Sequence, residues 1–377
     1  MTLDAYNGSR LWDMSIPNSV RVGVLKDAGW MALASDYVYV ASSDDCVGLE
    51  GDTGKPGLNF AAPQEISGEA MDWGYLAVDD DLLFGSGQKA GASRIGLSFD
   101  IYNGYIPEVY QDNQTIITSR YLFCFDRDDD TASPSWIYKR GTGANSVIPN
   151  PAICVTDDAV YFLESRNSSA VNDSDGRVTL SVLLDGNNEY LVKLNKITGA
   201  IVWEEPVNLP FEHVIWLQYA NDVLLATGTY GATPWSHGMY AFDPVDGSSK
   251  WSKSFTAALA DYYHGGQDKH PAIVGNSIYW QPNKYNLQTG APESWAGVSQ
   301  SGCGTISTSA NYAFNRYSNP RMHSLSGGSW SLCSETRVGC YINIVPAGGL
   351  VLVPESGSGC TCSSFSLQSS MGFMTAD

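Results

Sequence analysis

Runs of β-branched and aromatic residues recur along the chain, each set off by a polar turn. Tyr37-Val38-Tyr39-Val40, Val160-Tyr161-Phe162-Leu163, Val223-Leu224-Leu225-Ala226, Ile278-Tyr279-Trp280 and Leu350-Val351-Leu352-Val353 are such runs. Ser35-Asp36, Asp157-Asp158, Asn221-Asp222 and Gly275-Asn276 precede four of them. Short apolar segments between Gly and Asp clusters predict strands. No stretch carries the 3.6-residue apolar period of a helix, so the chain reads as all-β.

A second pattern follows most of these runs. Leu3-Asp4-Ala5-Tyr6-Asn7-Gly8 leads to Trp12, Leu194 to Gly199 leads to Trp203, and Phe242 to Gly247 leads to Trp251. In these copies the tryptophan stands four residues after the glycine. Looser copies run from Leu49 to Gly54, with Leu58 in place of Trp, and then Phe125 to Trp136, Tyr285 to Trp295 and His323 to Trp330. The Asp/Asn-X-X-Thr/Asp-Gly segment is a tight turn with one residue at positive φ, where glycine meets no steric penalty. Recurrence at roughly 40 to 55 residues marks a repeat architecture, and with short strands it predicts a propeller of four-stranded antiparallel blades.

Inner strands are expected near residues 37, 82, 160, 223, 278, 312 and 351, which predicts seven blades, with eight as the alternative. The segment Leu3 to Trp12 has the outer half of a blade and no inner half. It is expected to complete the last blade, around residues 342–373, and so to remove a free sheet edge; the alternative is a chain whose upstream blades are missing. Residues 1–377 are read as one domain, expected to be a monomer.

Composition narrows the function classes. A formal charge of −19 argues against nucleic acid as a partner, because that polyanion attracts basic surfaces. No apolar run approaches the ~20 residues of a membrane-spanning helix. Met1 leads directly into a repeat, so no signal peptide is read in this sequence. Of the eight cysteines, Cys46, Cys124 and Cys154 lie in strand-like text and are expected to be buried thiols. Cys303, Cys333, Cys340, Cys360 and Cys362 lie in loop-like text, where disulfides, metal ligation and free thiols all remain open.

The turn-Gly-X3-Trp repeat resembles that of the pyrroloquinoline-quinone (PQQ) repeat superfamily, which includes quinoprotein dehydrogenases and BamB-type outer-membrane assembly propellers. Residues His264 to Pro271, Gly302 to Ser307, Arg337 to Asn343 and Pro354 to Cys362 look like a group of bacterial PQQ-like propellers familiar from planctomycete-type genomes. That likeness implies a propeller fold and export to the periplasm or beyond. PQQ enzymes typically carry a vicinal Cys-Cys pair, a tryptophan platform and a Ca²⁺ site; this chain has no Cys-Cys dipeptide and no stretch matching the calcium or base motifs. PQQ is therefore not the expected cofactor, and a transition metal is the candidate.

Propeller geometry places the loops between blades on the same face as the loops joining second and third strands. His264 to His270 and the segments holding Cys303 and Arg337 to Cys340 fall in the first class. Lys89, Glu164 to Asn167 and Glu355 to Cys362 fall in the second. One face at the channel mouth is thus expected to gather them. His264, His270, Cys303, Cys340, Cys360 and Cys362 are nitrogen and sulfur donors suited to Zn²⁺ or Cu, although His-X5-His is no standard ligand spacing. Glu164 or Glu355 with His264, beside Arg166 or Arg337, would serve acid–base chemistry on an anionic substrate. Lys89, Asn167, Gly265 and Gly266 would hold that ligand. The competing expectation is that Glu and Arg pair with each other and with backbone. Asp126 to Asp130 reads as an elongated acidic turn, His213, His237 and His323 as structural or solvated, and residues 167–189 as a hairpin or mobile rim loop.

Two functions follow. One is a small-molecule-binding propeller, in its sharpest form a metal-dependent or quinoprotein-like oxidoreductase. The other is a non-catalytic BamB-like scaffold that binds a partner protein in the cell envelope.

Overall fold

The computed structural model describes residues 2–4, 6–18, 27–64, 69–93, 115–141, 145–232, 235–256, 269–280, 282–296, 305–317, 319–332, 338, 344–353 and 371–374. Their strands form antiparallel sheets in chain order. The first holds Met31–Leu33, Tyr37–Ser42, Asp45–Glu50 and Pro56–Ala61, each paired with the next. The third holds Ile153–Val155, Ala159–Ser165, Glu189–Asn195 and Ile201–Pro206, and the fourth Val214–Ala220, Val223–Tyr230, Ser236–Phe242 and Ser249–Thr256. The fifth (272–293) and sixth (307–331) repeat the same order, and the seventh has three described strands, Val345–Ala347, Leu350–Val353 and Met371–Met374. The second sheet runs Met71–Asp79, Leu82–Lys89, Thr115–Asp126 and Trp136–Tyr138. Its long third strand also pairs Ile148–Pro149 and Arg177–Thr179. This is the propeller that the strand text predicts.

The sequence runs expected as inner strands prove to be the second strands of their sheets. An additional strand precedes each, often only two or three residues long, as in Met31–Leu33, Ile153–Val155 and Ser307–Thr308. So short a strand carries too little periodicity to be seen. The second strands are largely apolar because both faces meet neighbouring sheets, and Ala159–Ser165 is buried at every position.

The tryptophan of the repeat covers the turn of the next sheet. The Trp136 indole donates to Lys196 O at 2.9 Å, Trp203 to Pro244 O at 3.2 Å, and Trp251 to Leu287 O at 3.0 Å. Each ring lies over the turn glycine that follows. Gly199 has φ +65°, and a Cβ there would come within 2.6 Å of Trp136; at Gly290, with φ +66°, it would come within 2.5 Å of Trp251. Glycine is needed twice over, for the left-handed conformation and for the space beneath the indole.

The hairpin of Thr2–Leu3 with Arg10–Trp12 obeys the same rule. Trp12 donates to Gly51 O at 2.8 Å and lies over Gly54 of the first sheet. Elsewhere the turn before an outer strand also reaches back to the first turn of the preceding sheet. Arg127 does so to Asp36 at 2.8 Å, Lys196 to Asp79 at 2.5 Å, and Gln288 to Asn221 O at 2.7 Å. Tyr6 makes the equivalent contact, its hydroxyl donating to Gly348 O at 2.8 Å in the seventh sheet. The hairpin thus stands between the seventh and first sheets. Among the described residues its strands pair with each other and not with the seventh sheet.

Residues 167–189 differ from the rim loop expected. They fold as two single-turn helices, Ser168–Val171 and Leu180–Leu183, flanking the strand Arg177–Thr179. Ala170, Leu180 and Leu183 are buried in the core beneath the third sheet, so the polar composition of the segment hid its anchors. Cys46, Cys124 and Cys154 are thiols outside any disulfide, the first two buried and Cys154 partly so.

Candidate functional site

Glu164 is the penultimate residue of the second strand Ala159–Ser165, and it is 1% exposed. Its Oε1 accepts hydrogen bonds from Tyr138 Oη and Ser146 Oγ, both at 2.8 Å. Its Oε2 lies 3.0 Å from Arg166 Nε and 3.5 Å from Arg140 Nη1. Both guanidinium groups then grip Glu204 on the outer strand of the same sheet, Arg166 at 2.7 Å and Arg140 in a fork at 2.6 and 3.3 Å. The Arg166 guanidinium also stacks 3.4 Å from the Tyr190 ring centre. The hydrogen bond from Arg140, aided by both arginine charges, holds the Glu204 carboxyl below its ordinary range. Burial and the adjacent Glu164 push the Tyr138 phenol upward. Two carboxylates and two guanidinium groups compensate one another here, which is the mutual pairing that competed with acid–base chemistry.

Other expected site residues are likewise occupied. Lys89 Nζ donates to the carbonyls of Asp173 and Ser174 at 2.8 and 3.2 Å, fastening residues 173–174 to the second sheet. Asn167 caps the helix Ser168–Val171: its Oδ1 accepts from Ser169 N at 3.0 Å, and its Nδ2 donates to Val182 O at 2.8 Å. His264, Gly265, Gly266, Cys303, Arg337, Cys340, Glu355, Cys360 and Cys362 lie outside the described residues. His270 lies within them. Its Nδ1 donates to Pro271 O at 3.1 Å, its ring packs 4.8 Å from Trp216, and burial lowers its basicity. Among the described residues no three His, Cys, Asp or Glu side chains are grouped to hold a metal ion.

A polar cluster that the sequence did not announce lies between the fourth and fifth sheets. Trp216 stands opposite Thr227 and Thr229 opposite His237, so these side chains share one face of the fourth sheet. The His237 ring packs 5.0 Å from Trp280 and 5.0 Å from Phe255. Burial, reinforced by the Lys269 charge, lowers its pKa to about 3, so it is neutral at physiological pH. Thr227 is 0% exposed, His237 and Trp280 1%. Trp216 Nε1, Thr227 Oγ1, His237 Nδ1 and Trp280 Nε1 have no hydrogen-bond partner among the described residues. The visible signal was polarity at inward positions: Thr227 and Thr229 flank a glycine in an otherwise apolar strand.

A buried network beside the second sheet offers a contrast. Asn150 donates to Asp27 at 2.7 Å and Gln88 at 2.8 Å while accepting from Ser119 at 2.6 Å, and Ser93 donates to Asp27. There both the oxygen and the nitrogen of the Asn150 amide are used, as buried polar groups ordinarily are.

Solved structures match this chain at low identity. Quinohemoprotein alcohol dehydrogenase from Comamonas testosteroni is 13% identical, with 93% of this chain and 67% of that one covered and a TM-score of 0.55. A chain of the mitotic checkpoint complex is 11% identical over 93% of each chain, with a TM-score of 0.50. BamB from Moraxella catarrhalis is 13% identical over 81% of this chain and 85% of that one, with a TM-score of 0.36. No curated protein matches the chain. The family described as outer membrane protein assembly factor BamB matches residues 1–190, half of the sequence, and the chain belongs to that family of PQQ-repeat propellers.

Proposed function

We propose that the chain is a single-domain, non-catalytic propeller of the cell envelope that binds a partner protein on its rim, in the manner of an assembly factor. The pairing of Glu164 and Arg166 with Arg140 and Glu204 carries this reading, because it leaves those two expected catalytic side chains committed to one another. Beside that network lies an open recess of about 650 Å³, lined by Tyr138, Arg140, Asn145, Ile201 and Glu204 among others. Its margins expose Ile137, Ile201 and Val202, at 40%, 50% and 53%. The strand Ile201–Pro206 pairs on one side only among the described residues. Exposed branched side chains along a free strand edge suit the addition of an extended segment from another protein. The family's description as an outer-membrane protein assembly factor supports the same reading, as well as an exported, periplasmic location.

The second reading, a small-molecule enzyme, rests on His264 and Glu355. A photo-crosslinking residue at position 201, used in intact cells, separates the two. The scaffold reading expects one discrete crosslinked protein, lost when Val202→Asp is added and unaffected by His264→Ala or Glu355→Gln. A substrate turnover abolished by those last two changes and indifferent to Val202→Asp would overturn it.

A further inference from the structure

The junction of the fourth and fifth sheets combines features that the rim reading does not use. Contacts run from Trp216 to His270 at 4.8 Å, along the chain to Lys269, and from His237 to Trp280 at 5.0 Å. The side chains of His237 and Trp280 are at least nine-tenths buried, as is Thr227 between Trp216 and Met239. Each presents a polar atom without a partner among the described residues. Buried polar groups are rarely left so, and several together call for a guest.

The chemistry of the guest follows from the groups. An indole nitrogen only donates hydrogen bonds, so Trp216 and Trp280 each offer a proton and accept none. Thr227 and neutral His237 can donate or accept. The Lys269 ammonium, 6% exposed, adds a positive charge close enough to disfavour protonation of His237. We propose that this junction is a binding site for a small carboxylate, whose oxygens accept from the two indoles close to the Lys269 charge. Phe255, packed against both His237 and Trp280, supplies an apolar wall for the remainder of the molecule.

The test observes the two indole protons directly. The protein is labelled with ¹⁵N-tryptophan, and the Nε1–H signals of Trp216 and Trp280 are assigned by Trp216→Phe and Trp280→Phe. Sodium formate, acetate and glycolate are titrated at constant ionic strength against chloride. The expected result is a saturable downfield shift of both assigned signals, with the half-exposed Trp330 as an unmoved control. Lys269→Met should weaken the apparent affinity at least tenfold. Non-saturable shifts, equal shifts at Trp330, or no shift with any of the three carboxylates would overturn the assignment. Because the primary readout is on the unaltered sequence, a poorly folding variant does not blunt it.

Discussion

Residue chemistry shows first in the histidines. His213, His237 and His323 are all buried, so the structural half of the expectation holds and the solvated half does not. Burial, which penalises the imidazolium, lowers the His237 pKa to about 3 and that of His323 to about 4. The folded chain keeps them neutral while the unfolded chain protonates them below its ordinary value near 6.5. Their contribution is therefore intact above pH 6.5 and declines as pH falls from 6.5 toward 4. At pH 5 each should have cost about 2 kcal/mol relative to neutrality. Glu189, whose carboxyl is raised by burial, opposes this trend at the lower end of the window. Denaturant midpoints at pH 7 and pH 5 check the point, with His237→Gln and His323→Gln each expected to flatten the dependence; an unchanged pH profile would remove the assignment. Cysteines obey the same physics. Burial pushes the Cys124 thiol up to about 12 and Cys154 to about 11, so at pH 8 the thiolate is on the order of a thousandth or less of either. Iodoacetamide at pH 8 should leave both unlabelled in the native protein and label both in urea, as read by peptide mass spectrometry.

At the scale of the element, the repeat is legible because its turn and its tryptophan answer one another across sheets. Gly199 accommodates Trp136 from the preceding sheet, and Asn195 Oδ1 fixes the turn by accepting from Ile197 N and Thr198 N at 3.1 and 2.9 Å. Gly199→Ala forces a Cβ into a left-handed position and against the indole, and is expected to cost about 1–3 kcal/mol in thermal or urea unfolding. Trp136→Ala should cost about 3–5 kcal/mol by emptying the same junction. Such paired signatures put the second, third and fourth strands into the sequence. First strands were missed because Ser307–Thr308 and Val345–Ala347 are too short to show a period. The two helical turns between residues 168 and 183 were missed because Ala170, Leu180 and Leu183 are their only buried positions. At the candidate site, Glu164 and Arg166 were found from their place after an apolar run, but Arg140 and Glu204 were not, since their partnership joins residues 64 positions apart. Trp216, Thr227, His237 and Trp280 escaped for the opposite reason: polar and aromatic residues in strands look like packing until neighbouring sheets show which atoms lack partners.

For the whole molecule, the decisive contact is made by the N-terminal hairpin. Sheets contact their neighbours through local rules: an indole over the next turn glycine, and a turn side chain to the preceding sheet's first turn. Trp12 follows the first rule toward Gly54, and Tyr6 follows the second toward Gly348. The hairpin therefore joins the first sheet to the seventh, across a separation of 342 residues. The hairpin itself carries exposed apolar side chains, Leu3 by 39% and Leu11 by 52%. Trp12 and Gly54, in contact, are therefore energetically coupled. Trp12→Ala and Gly54→Ala should each lower stability, and the double variant should lose less than their sum, because the added methyl clashes only while the indole is present. A coupling of about 0.5–3 kcal/mol is expected from a double-mutant cycle in urea. Tyr6→Phe, which removes only the hydroxyl bonded to Gly348, should cost about 0.5–1.5 kcal/mol. Strict additivity of Trp12→Ala and Gly54→Ala would mean that the hairpin is not seated on the first sheet, and the ring would then owe its closure to other strands.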